Sequence, residues 1–96
     1  MKTITFTVTP EDIRLGQEDA SERRCRTCPV SRSMGRALGF PVEVYGDSWS
    51  PVSRPAKAFR LPAAITRYVD QADDECKAAR LKPRTFRLRV PEEALR

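Results

Sequence analysis

Lys2-Thr3-Ile4-Thr5-Phe6-Thr7-Val8 is the stretch that decides the fold. Ile4, Phe6 and Val8 fall on one face, while Thr3, Thr5, Thr7 and Thr9 fall on the other, which is the period-two pattern of a half-buried strand. Branched threonine side chains suit the exposed side of a pleated surface. The same alternation returns at Thr85–Val90, with Phe86, Leu88 and Val90 facing in and Arg87 and Arg89 facing out. This second strand is expected to pair with the first or with its neighbour.

Between these strands the chain reads as helices and short strands. Thr9 caps a short helix, Pro10 takes its first position, Asp12 sits three residues after the cap, and Gly16 is the expected stop. Residues 17–26 show no periodicity and read as a loop. Thr27 or Cys28 caps a second helix that starts at Pro29, carries Val30, Met34, Ala37 and Leu38 on one side, and closes at Gly39. Pro41–Tyr45 reads as a strand followed by a Gly46-Asp47 turn. Pro51 and Pro55 make Ser48–Ala58 a loop or an interrupted edge strand. Phe59-Arg60-Leu61 leads into a third helix from Pro62, with Ile65, Val69, Ala72 and Cys76 on one face, expected to reach Arg80 before Pro83 breaks it. The expectation is an α+β fold: one domain over residues 1–96, with a small, mostly antiparallel sheet of three to four strands against two or three helices.

Size and composition agree. A chain of 96 residues, 40% apolar and 32% charged, suits one modest core. No apolar run approaches the roughly 18 residues that span a bilayer, and the alternating start lacks the apolar stretch of a secretory signal. Three cysteines cannot all pair within the chain. A cytoplasmic location is therefore expected, with no membrane partner. Arginine outnumbers lysine 14 to 4, a bias that a GC-rich genome also produces. Net charge is +5, divided as −2 over residues 1–20, +5 over 21–60 and +2 over 61–96. A positive field of this kind favours encounter with polyanions.

Catalysis is disfavoured. There is no histidine, and the four glycines fit no phosphate-loop spacing. The acidic pairs Glu11-Asp12, Asp73-Asp74-Glu75 and Glu92-Glu93 place neighbours about 100° apart on a helix, so they diverge from any common substrate. The chain is expected to be no enzyme, with no cofactor and no small-molecule substrate. Cys25-Arg26-Thr27-Cys28 offers half of a zinc site or a redox pair, with Cys76 as a third thiol. No fourth cysteine or histidine remains, so no metal is expected. The plainer alternative is that Cys28 caps the helix and Cys76 is a small core residue. Arg23, Arg24 and Arg26 precede the second helix, Arg32 and Arg36 lie four apart on it, and Arg84, Arg87 and Arg89 lie on or beside the last strand. These arginines would suit a phosphate backbone, or would simply be solvated. Trp49, in a turn-like polar stretch, is either folded onto the core or offered to a partner.

The opening strand, Asp12-Ile13-Arg14-Leu15-Gly16, the Cys28-Pro29-Val30 helix start, Phe59-Arg60-Leu61-Pro62 and Phe86-Arg87-Leu88 together resemble small proteins encoded by bacteriophages and prophages of GC-rich bacteria. The cysteine pair and the acidic stretch around Asp73 depart from that pattern. The resemblance implies a non-enzymatic interaction protein that inhibits or modulates a host nucleoprotein complex, for example an anti-CRISPR. Arg23, Arg24, Arg26, Arg32 and Arg36 would then steer the partner, and Trp49 would anchor it. Arg84, Arg87 and Arg89 would form a secondary basic surface. Two other readings stand beside this one: direct nucleic-acid binding through the arginines, and a zinc- or thiol-dependent regulator.

Overall fold

The computed structural model describes residues 2–18, 27–78 and 80–95. In chain order the elements are β1 (Lys2–Val8), α1 (Pro10–Glu18), α2 (Pro29–Leu38), β2 (Val42–Tyr45), β3 (Ser48–Pro51), β4 (Phe59–Arg60), α3 (Ala63–Asp73), α4 (Glu75–Ala78) and β5 (Arg84–Val90), followed by a 3₁₀ turn at Glu92–Leu95. The fold is α+β, as the alternating strands and capped helices require. Its strands form two antiparallel sheets, a two-stranded ribbon β1–β5 and a three-stranded sheet in the order β2–β3–β4. No helix among the described residues is long and apolar enough to cross a membrane.

The ribbon pairs Ile4 with Leu88, Phe6 with Phe86 and Thr5 with Arg87. This register puts Ile4, Phe6, Val8, Phe86, Leu88 and Val90 on one face, and all six are buried. Helix α2 packs on that face with Val30 and Met34, and it also meets α1 and β2. Ile65, Tyr68 and Val69 of α3 join the same core cluster, with the Tyr68 ring edge-on to Phe86 at 5.3 Å.

Local chemistry sets the helix ends. The Thr9 N–H donates to Asp12 Oδ2 at 2.9 Å and the Asp12 N–H donates to Thr9 Oγ1 at 3.1 Å, a reciprocal capping box. Cys28 caps α2, its sulfur accepting from the Ser31 N–H at 3.4 Å, and Gly39 ends that helix at φ 84°. Helix α1 runs past Gly16 to Glu18, so the glycine is not the stop its sequence position suggests. It is a point of close approach: a Cβ there would lie 2.7 Å from Pro29 Cδ.

Two other elements depart from expectation. Ser48–Pro51 is a regular strand at the centre of its sheet, Trp49 pairing with Val44 on one side and Phe59 on the other. Proline is accommodated because β4 is two residues long, which leaves Pro51 paired only with Val42 of β2. The third helix stops at Asp73 instead of continuing to Arg80, with Asp74 extended at φ −89°, ψ 113° before α4. Three consecutive acids, Asp73-Asp74-Glu75, oppose the negative end of the helix dipole at that point.

Candidate nucleic-acid interface

The outer face of the ribbon follows from the alternation that builds its inner one. Thr3, Thr5, Thr7, Thr85, Arg87 and Arg89 all project from it and all are exposed. Register sets Arg89 opposite Thr3, Arg87 opposite Thr5 and Thr85 opposite Thr7, the last two hydroxyls bonding at 2.9 Å. Neither strand contains an aspartate or a glutamate. The face therefore offers two guanidinium groups and four hydroxyls with no acid in either strand.

Arg84, at the start of β5, belongs to the opposite face. Its guanidinium lies over the Phe86 ring, 5.0 Å from the centroid, a cation–π contact that fixes its direction. With Tyr68, Gln71, Arg80, Lys82 and Pro83 it lines an open cleft of about 480 Å³ that holds three cations and no acid. The Tyr68 hydroxyl donates to the Lys82 carbonyl at 2.7 Å and so ties this segment to α3. Burial pushes the Tyr68 phenol up to about 12, with the negative charge of Asp12 adding to the rise and Arg84 opposing it. Arg84, Arg87 and Arg89, expected as one secondary surface, thus divide between a cleft and a flat face.

The basic residues of α2 are placed differently. Arg36 donates to Asp12 Oδ1 at 3.0 Å and Oδ2 at 2.7 Å, and to the Thr7 carbonyl at 3.0 Å. Asp12 is 3% exposed. Burial raises its carboxyl, but hydrogen bonds from Arg36 and Thr9 outweigh that and leave it below its ordinary value. The bonds to Asp12 in turn raise Arg36. A bidentate pair of this kind joins α1, α2 and the end of β1, so Arg36 is a structural residue rather than a free partner contact. Arg32 shares a hollow with Arg36, but Glu11 and Asp12 line it too. Arg23, Arg24 and Arg26 lie outside the described residues, as do most of residues 17–26.

Trp49 is 1% exposed and is not available to a partner. The β2–β3 hairpin puts it on the face of Val44, with its ring centroid 5.1 Å from that of Phe59. A domain this short of large apolar residues draws its one tryptophan into the core. Its indole Nε1 is buried without a hydrogen-bond partner among the described residues. Cys28 is buried, and burial pushes its thiol up despite the hydrogen bonds from Ser31, opposite to the activated thiolate a redox role requires. Cys25 and the side chain of Cys76 fall outside the described residues. Among the described residues, no three metal-binding side chains converge.

Arg80 and Lys82 are cations that no sequence motif singles out. Their signal lies in the local run: residues 76–91 hold Lys77, Arg80, Lys82, Arg84, Arg87 and Arg89 and no acid. Averaging over residues 61–96 conceals it, because Asp70, Asp73, Asp74, Glu75, Glu92 and Glu93 flank the run. Compared with protein-family models, curated proteins and solved structures, the chain matches none.

Proposed function

We propose that this chain is a non-catalytic, cytoplasmic nucleic-acid-binding protein that uses the outer face of the β1–β5 ribbon. The observation that carries the reading is the exposed set Arg87, Arg89, Thr3, Thr5, Thr7 and Thr85 on two strands without an acid. Guanidinium groups bond phosphates and base edges in a planar fork, and hydroxyls donate or accept as the ligand requires. The cleft at Arg80, Lys82 and Arg84, on the other face of β5, adds to the positive field around the strand without joining its outer face. An inhibitor of a host nucleoprotein complex acting through Arg36 and Trp49 is less well supported, because one is held by Asp12 and the other is in the core.

The test is fluorescence anisotropy of labelled mixed-sequence oligonucleotides against the full chain over a salt series. Affinity should fall as salt rises, with a log–log slope of about −0.7 to −0.9 for each phosphate neutralised. Arg87→Glu with Arg89→Glu should weaken binding at least tenfold, which corresponds to about 1.4 kcal/mol, while thermal unfolding stays unchanged. Undiminished affinity in that double variant would overturn the proposal.

A further inference from the structure

We infer that the ribbon's ligand is B-form DNA duplex, entered through the major groove, with Arg87 and Arg89 directed at guanine edges; this rests on the nucleic-acid reading above. The width of the ribbon fits this groove. Two paired strands lie about 4.8 Å apart, and a two-stranded ribbon with its side chains fits a groove about 12 Å wide. Among the described residues the β1–β5 sheet has two strands and no third one widens it, and its outer residues are all exposed.

The chemistry of the face fits base edges. Arginine bonds guanine O6 and N7 with two parallel donors, while threonine meets either kind of base edge and sets its methyl against that of thymine. Arg87 and Arg89 are alternate residues on one strand, so their Cα atoms lie about 6.8 Å apart, close to two base-pair rises. The flanking threonines are short enough to let the strands sit deep in the groove.

Other nucleic acids fit this face less well. Single strands are held by stacking bases on exposed aromatic rings. The ribbon's aromatic residues, Phe6 and Phe86, both point inward and are buried. The exposed Tyr45 lies on the other sheet. An RNA duplex presents a major groove too deep and narrow for side chains to read.

The experiment compares four probes against the full chain by anisotropy: a guanine-containing DNA duplex selected from a random library, its separate strands, the matching RNA duplex, and the same DNA with 7-deazaguanine, which lacks the N7 acceptor. The DNA duplex should bind at least tenfold more tightly than its single strands or the RNA duplex. The 7-deazaguanine duplex should lose about tenfold, and Arg87→Ala with Arg89→Ala should make the chain indifferent to that replacement. Equal or tighter binding of single strands or RNA, or indifference of the unmodified chain to 7-deazaguanine, overturns the duplex assignment and leaves nucleic-acid binding standing. Failure to bind any probe overturns both.

Discussion

Helix α2 and the outer face of the ribbon each carry a pair of arginines, and Arg36 of the first pair has a fate opposite to that of Arg87 and Arg89. On α2, Arg36 turns onto the buried carboxylate of Asp12 and holds three elements together. On β5, Arg87 and Arg89 are exposed and stand opposite Thr5 and Thr3, in strands without an acid. The difference lies in what the fold brings near each guanidinium, since the residue types are the same. A basic stretch is a binding surface only where the structure supplies it with no acid of its own.

Charge reversal should separate the faces most sharply. Arg36→Glu puts a second carboxylate against Asp12 and should cost roughly 2–3 kcal/mol in urea unfolding, near the lower end for a broken buried pair because Arg36 is more than half exposed. Arg87→Glu should change stability by less than about 0.5 kcal/mol. Equal losses at the two positions would break the comparison.

Gly16→Ala tests how tightly α1 closes on the start of α2. An exposed helix interior would gain about 1 kcal/mol from this change. Here the added methyl meets the Pro29 ring at 2.7 Å, so a net loss of about 1–2 kcal/mol is expected in the same unfolding assay. A gain would show that α1 and α2 can separate freely.

Acid should act on one face first. The folded-state carboxyl of Asp12 lies below its ordinary value of 3.8, so its stabilisation is complete above that pH and is lost as pH falls below it. Denaturation midpoints measured below 3.8 should therefore drop more in the native sequence than in Asp12→Asn. Parallel curves would remove the pair from the acid response. The smallest effect is expected at Arg32, where replacement by alanine should leave both stability and nucleic-acid affinity within about 0.5 kcal/mol. A marked loss of affinity there would return the α2 face to the binding surface.

Much of the scaffold was legible because its rules are local. The alternation of Lys2–Val8 and Thr85–Val90, the Thr9–Asp12 box and the Cys28–Gly39 limits are each readable within a few residues. The remainder depends on neighbours distant in sequence. Arg36 lies 24 positions from Asp12, so nothing near it in the chain reveals its ion pair. Trp49 sits among turn-forming residues, and only its pairing with Val44 and Phe59 shows that it points inward. Pro51 argued against a strand until the shortness of β4 made room for it. Of the candidate surface, Arg87 and Arg89 were readable from period alone, while the separation of Arg84 from them needed the strand to begin one residue earlier than expected and its guanidinium to lie over Phe86.

Thr7 and Thr85 touch across 78 positions of chain, and the other ribbon pairs span comparable distances. Closing so long a loop is entropically costly and sets in late for contacts of high sequence separation. The paired basic face is therefore absent from any partly folded species that lacks this closure. A ligand held there would stabilise the whole fold by mass action, and its dissociation would report on global unfolding as well as on the strength of its own contacts.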